Sequence, residues 1–378
     1  MIYLDNAATT KVASEVIGCM IPYLTEYYGN PGSIHSEGRR ATDAINLARA
    51  QVAGPIWAEP DNIIFTSCGS ESNTMAIVGL AKYLKWIGKT HIITTQVEHH
   101  SVLNAVKSLF YSGFDATFLP VDENGALNIE DVERAIRPDT GLVSVMMVNN
   151  ETGNMYNIRE IGEVCKKHGV LFHTDCVQSY CCTEIYVNEC NIDFLSASGH
   201  KIHAPKGVGI LYARNKELLS PVIFGGSQEY ELRGGTHNVP YIVGMGCAAN
   251  MSYEDFLLNQ KDYGEKIGRF KNNIIGKIGG VHINGTPHQN SKTINFRFDG
   301  IDGETLLLLL DNKGVAVSAG SACSAHYAEP SHVLSALGLT PDEARSSIRI
   351  SVSKYTTNEE IDIASEAIID SVLQLRGG

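Results

Sequence analysis

The sequence predicts an α/β protein: a large domain on a mainly parallel, seven-stranded sheet covered by helices, plus a smaller α+β domain. Three observations lead there. Short apolar runs alternate with helical periods from about residue 60 to residue 212, the rhythm of strands joined by crossover helices. After Pro240 that rhythm gives way to a long helical stretch, short strands and a closing helix. The chain also has 378 residues, 43% hydrophobic and 19% charged, enough to bury a large core and a small one.

In chain order, Asn62–Thr66 reads as a strand and Ser72–Trp86 as a helix. His91–Thr95 is a strand, Ser101–Tyr111 a helix, Ala116–Leu119 a strand and Ile129–Ile136 a helix. Leu142–Val148, Val170–Thr174, Asp193–Ala197 and Val208–Tyr212 are further strands, with a helix over Ile158–His168. Beyond Pro240, Ile242–Ile278 is mostly helical, and Val281–Ile283 and Thr293–Phe298 are strands. Gly303–Asn312 is helical, Gly314–Val317 extended, Ser347–Val352 a strand and Asn358–Leu375 the last helix.

Composition narrows the function. Lys plus Arg total 30 against 42 for Asp plus Glu, a net charge of −12, which argues against a nucleic-acid binder. No apolar run reaches membrane-spanning length, and MIYLDNAATT lacks the marks of a secretion signal, so a cytoplasmic protein is expected. Nine cysteines without a compact framework suit a reducing compartment. Cys176, Cys181, Cys182 and Cys190 lack the paired spacing of a zinc site and read as packing residues, so no metal is expected.

In such a sheet, ligands gather at the carboxyl edge of the strands. Ser67-Cys68-Gly69-Ser70-Glu71-Ser72-Asn73 leads from a strand into a helix, and its free N–H groups suit an anion such as phosphate. Taken alone, a Ser-capped turn is the plainer reading. Asp175 ends another strand, with Gln178 shortly after; it could cap a helix, bind metal or face a cationic ring nitrogen. Ser196-Ala197-Ser198-Gly199-His200-Lys201 ends a third strand, where the lysine is either an imine-forming amine or a solvated side chain. Ala319-Gly320-Ser321-Ala322-Cys323-Ser324-Ala325 surrounds one thiol with small residues, giving a nucleophile access, or else a structural cysteine.

Across nearly its whole length the chain resembles the NifS/IscS-type cysteine desulfurases, class V members of the fold-type-I pyridoxal-phosphate enzymes. The resemblance runs from Tyr3-Leu4-Asp5-Asn6-Ala7-Ala8-Thr9-Thr10 through Gly29-Asn30-Pro31, Glu98-His99-His100 and Asn149-Asn150-Glu151-Thr152-Gly153. It continues in His173-Thr174-Asp175, Ser198-Gly199-His200-Lys201, Arg233-Gly234-Gly235-Thr236, Gly320-Ser321-Ala322-Cys323 and Glu329-Pro330-Ser331-His332.

The resemblance implies pyridoxal 5′-phosphate held by Lys201, with Asp175 at the ring nitrogen and His99 on the ring face as a proton shuttle. It implies Asn150 and Gln178 near the phenolic oxygen, and Gly69, Ser70, Ser198 and His200 on the phosphate. Thr236 would come from the second subunit of a homodimer. Arg349 would bind the substrate carboxylate, with Asn150 beside the substrate, and Cys323 would take the sulfur of L-cysteine as a persulfide, leaving alanine. A protein acceptor follows: an iron–sulfur scaffold, a tRNA-thiolation enzyme or thiamine biosynthesis. Rival readings are a selenocysteine lyase or another class V reaction, and a non-catalytic sulfur-relay protein.

The expected division is a large domain over residues 14–255, and a small one from 1–13 and 256–378 that carries the Cys323 loop. Several positions depart from the family's pattern. Tyr230 and Glu231 replace an arginine and a glycine in Gly225-Gly226-Ser227-Gln228-Glu229-Tyr230-Glu231. Cys68 and Cys176 stand where glycine and alanine are common, and His326 where a small residue is. His326 is either a passive surface residue or a group that tunes the Cys323 thiol.

Overall fold

The computed structural model describes residues 1–259, 262–286, 291–319 and 330–377. Its strands are β1 (Ile2–Tyr3), β2 (Ile63–Thr66), β3 (His91–Thr95), β4 (Asp115–Leu119), β5 (Thr140–Ser144) and β6 (Leu171–Asp175). They continue as β7 (Phe194–Ser198), β8 (Gly209–Ala213), β9 (Val281–Ile283), β10 (Thr293–Phe298), β11 (Val315–Ala316) and β12 (Ser347–Ser351). The main sheet has seven strands in the order β2-β8-β7-β6-β5-β3-β4. β8 runs antiparallel to both of its neighbours, and the other pairs are parallel. Every residue of β2, β3, β5, β7 and β8 is buried, as a sheet covered on both faces requires.

The first helices are α1 (Ser14–Thr25), α2 (Ser36–Ala53), α3 (Gly69–Ile77), α4 (Ala81–Trp86) and α5 (His100–Ser108). α6 (Ile129–Ala135), α7 (Ile158–His168), α8 (Val239–Leu258), α9 (Asp262–Ile274) and α10 (Gly303–Asn312) follow. The last are α11 (His332–Ala336), α12 (Pro341–Arg345) and α13 (Asn358–Gly377). α1, α2 and α8 share one core with one face of the sheet, while α3, α4 and α5 close a second core on the other face. On α2 the buried stripe Ala41, Ala44, Ile45, Ala48 and Val52 keeps helical spacing. Its small residues let α8 approach so closely that a Cβ on Gly246 would lie 2.7 Å from the Ala48 Cα.

A third core holds the smaller unit together. β9, β10 and β12 form an antiparallel sheet whose apolar residues, Phe296, Phe298, Ile348 and Ile350 among them, pack on α9, α10 and α13. β1 reaches this unit from the other end of the sequence and pairs with β11.

Three elements differ from the sequence reading. The helix expected over Ser72–Trp86 is two helices, because the Gly79 carbonyl accepts from the Ser220 N–H (2.9 Å) and leaves the helical ladder. The strand expected over Leu142–Val148 ends at Ser144, because the Met146 N–H turns to the Glu98 carboxyl (3.0 and 3.1 Å). The long helical stretch after Pro240 divides into α8 and α9.

Candidate active site

β2, β6 and β7 end on the same edge of the sheet, which brings three local segments to one place. β2 runs into α3, β6 ends on Asp175, and β7 ends at the tight turn Gly199–Lys201. Gly69 makes the closeness possible: a Cβ there would lie 2.6 Å from Val177 Cγ2. A cavity of about 220 Å³ opens between these ends. Lys201, Asp175, His99, Asn150, Gln178, Gly69, Ser70, Ser198, His200 and Arg349 all line it. Thr236 does not; it is exposed and lines separate cavities beside His237. Cys323 and His326 lie outside the described residues.

Each side chain is held by neighbours. The Lys201 amine donates to the carbonyls of Ala7 and Ala8 (2.8 Å to Ala8), which ties the N-terminal segment over the cavity. Asp175 accepts from Asn73 Nδ2 (2.7 Å) through one oxygen and from the Val177 N–H (2.9 Å) through the other. His99 caps α5: its Nδ1 accepts from the Ser101 N–H (3.1 Å), which leaves the ring proton on Nε2. Burial holds this imidazole below its ordinary pKa, and Lys201 pushes the same way against the pull of Asp175. His200 is driven to about 3 by burial and then by Lys201, Lys206 and Lys292, so it is a neutral donor or acceptor.

Arg349 comes from β12 of the smaller sheet and is 2% exposed. It donates to the Asn150 carbonyl (3.0 Å) and to Asp5 Oδ1 (2.7 Å), while its Nε–H has no partner. Three residues of the quoted motifs were given no role by the sequence: Asp5 behind Arg349, Asn73 behind Asp175, and Glu98 beside the cavity wall. Burial raises the Glu98 carboxyl to about 8, and it takes both the Met146 N–H and the Thr95 hydroxyl (2.8 Å). Asp5 and Arg349 are 344 residues apart, so no local pattern could have joined them.

The cavity fits a phosphorylated, planar ring. Ser198 Oγ and Gln178 Oε1 are buried there with no partner, although buried polar groups are nearly always bonded. The N-terminus of α3 adds its unpaired N–H groups and positive dipole end next to Ser198. An anion at α3 and a polar ring beside Gln178 would satisfy them.

The departures from the family pattern have local consequences. Cys68 lines the cavity, whereas Cys176 is fully buried with its thiol pushed up to about 12 by desolvation. Arg233 pairs with Glu71 (2.9 Å), and Lys216 sits 3.5 Å above the Tyr230 ring. Glu231, where a glycine is usual, has φ +66°, a left-handed backbone that costs a side-chain-bearing residue about 1–2 kcal/mol. Glu231→Gly is therefore expected to raise the melting temperature by a few degrees, read by calorimetry. An unchanged or lowered value would show that the loop carries no such strain.

A mainly parallel sheet with lysine, acid and anion cradle at its carboxyl edge defines a fold-type-I pyridoxal-phosphate enzyme. The chain belongs to the class-V aminotransferase family, whose model matches residues 2–363, and within it to the cysteine desulfurases. It is 43% identical over 376 residues to a cysteine desulfurase IscS of Methanosarcina thermophila, covering 99% of this chain and 93% of that one. It is 44% identical over 377 residues to the enzyme of the same name from Dictyoglomus turgidum, covering 99% and 95%. Among solved structures, a NifS-like protein superposes with a TM-score of 0.91 at 35% identity, covering 99% of this chain and all of that one. SspA in complex with cysteine gives 0.81 at 39% identity, covering 94% and 100%.

Proposed function

We propose that the protein takes sulfur from L-cysteine, releases L-alanine and holds the sulfur on Cys323 as a persulfide for a protein acceptor. The unpartnered Ser198 Oγ and Gln178 Oε1 around the α3 N-terminus and Lys201 support this reading most directly.

Lys201 would carry the cofactor, and Gly69, Ser70, Ser198 and His200 would hold its phosphate. Pyridoxal phosphate, when bound, supplies an electron sink for negative charge developed at the substrate's α-carbon. Asp175, fixed by Asn73 and the Val177 N–H, sets a negative charge for the ring nitrogen. His99 would cover the ring face and, with its proton on Nε2, could pass one on; Asn150 and Gln178 would offer polar contacts at the ring's edge. Arg349 orients the substrate through its carboxylate, a task suited to a guanidinium already aimed by Asp5. The Lys201 amine takes the α-proton and returns a proton to carbon. The Cys323 thiolate attacks the substrate sulfur: an S–S bond forms, the C–S bond breaks with its electron pair left on carbon, and protonation there completes alanine.

The two parts divide as residues 14–255 and residues 1–13 with 256–378, so that Arg349 and Cys323 belong to the smaller one. Thr236, exposed on its own chain, would reach the phosphate of a second copy in a homodimer. A protein acceptor such as an iron–sulfur scaffold, a tRNA-thiolation enzyme or a thiamine-biosynthesis protein would take the sulfur onward, in a cytoplasmic setting. Among the described residues no helix is long and apolar enough to cross a membrane.

Purified protein given L-cysteine and a reductant is expected to form alanine and sulfide in equal amounts. Cys323→Ala is expected to lose more than about nine-tenths of both, since the substrate sulfur then has no soft acceptor. Undiminished sulfide release from that variant would remove Cys323 from the mechanism.

A further inference from the structure

Lys292 precedes β10 and is 7% exposed. Burying an ammonium is costly unless something compensates, and compensation is normally a carboxylate. None of the ion pairs among the described residues includes Lys292. Its ammonium donates instead to the main-chain carbonyl of Lys201 (3.4 Å) and to Cys182 Sγ (3.6 Å). Tyr263 lines the same small cavity as Cys182 and Lys292. A cavity of about 10 Å³ touches both Lys292 and Cys182 on each of two sides, room for roughly one water apiece.

The placement links two parts of the site. Lys292 leads into β10, which pairs with the Arg349 strand, and its ammonium holds the turn that carries Lys201. Its charge is felt there, since it helps push both His200 and His203 below their ordinary values. Other charged groups face the same region. Asp175 and His99 stand before the Lys201 amine, the Asp5–Arg349 pair lies beside the cavity, and Asp255 and Lys354 line the small cavity behind.

We propose that Lys292 is a positioning residue for Lys201: it ties the Lys201 turn to the smaller sheet and sets a positive charge behind the Lys201 amine. A cation close to a second amine disfavours protonation of that amine, one of the known ways of activating a lysine. The inference rests on the functional reading above, in which Lys201 holds the cofactor and moves the α-proton.

The test is a pH titration of the visible absorbance of the cofactor-loaded protein without substrate. Lys292→Met removes the charge and keeps the bulk, and is expected to move the midpoint to higher pH by about one unit. Lys292→Gln serves as a second neutral variant. Lys292→Arg keeps the charge, and Cys182→Ser keeps a polar partner; both are expected to titrate as the unaltered protein does. An unmoved midpoint in the neutral variants, or an equal shift with Arg or with Cys182→Ser, overturns the proposal. A protein with no borohydride-reducible chromophore on Lys201 overturns the functional reading and this inference together. A normal chromophore that ignores residue 292 overturns this inference alone.

Discussion

Lys201→Ala is expected to cut alanine formation from L-cysteine by about a thousand-fold or more, the scale at which a positioned general base contributes. Two functions are lost together, because the same amine anchors the cofactor and moves the α-proton. The fold should survive: the Lys201 contacts to Ala7 and Ala8 are made at the cavity, not within a core. The variant is expected to lose the borohydride-reducible chromophore while its thermal unfolding stays close to that of the unaltered protein. Turnover within ten-fold of normal would show that another group takes the proton.

The largest loss of stability is expected for Arg49→Met. Arg49 and Glu229 form a buried, two-pronged ion pair (2.7 and 2.8 Å). The same carboxylate accepts from the Phe65 N–H (2.8 Å) and lies 2.8 Å from His237 Nε2, so it locks the 227–237 segment against β2. Removing Arg49 strands a buried carboxylate, which costs about 3–5 kcal/mol. A melting temperature lower by about 5 °C should follow. The double variant Arg49→Met with Glu229→Leu is expected to recover part of the loss, since a neutral pair leaves no charge unpaired.

The pH dependence of this pair has a definite sign. Although burial opposes it, Arg49 and the other donors hold the Glu229 carboxyl down at about 2. A group whose folded value is depressed contributes stability above its unfolded value, and loses it as pH falls towards the folded one. The unaltered protein should therefore lose stability between about pH 4.5 and pH 2 more steeply than the double variant. Parallel acid-unfolding curves would show that the pair does not govern this window.

How far the sequence carried depended on the range of each signal. Strands such as β3 and β7 were legible because full burial makes a continuous apolar run, and α7 because Asn157 opens it and Gly169 closes it. The main break in α3–α4 was not legible, because its cause is a carbonyl taken by Ser220, far along the chain. α1 and α2, absent from the sequence reading, owe their stability to α8, which only the folded chain sets against them.

The site divides in the same way. Lys201, Asp175, His99 and the Gly69–Ser70 turn stand at strand ends or helix starts, where local chemistry and the family's motifs both mark them. Lys292 carries no such mark, and Asp5 and Asn73, though they stand inside quoted motifs, drew no role from them; each matters for what it touches across the fold.

By itself, then, the amino-acid sequence determined the α/β class, the family and the residues that meet at the carboxyl edge. Periodicity and short motifs record local backbone preference and chemistry, and those survive in one dimension. Only the tertiary structure decided that Asp5 aims Arg349, that Glu229 is buried against Arg49, and that the Lys292 ammonium, with no carboxylate partner among the described residues, lies behind Lys201. Such pairings depend on distances between segments tens to hundreds of residues apart, and burial alone makes their charges matter.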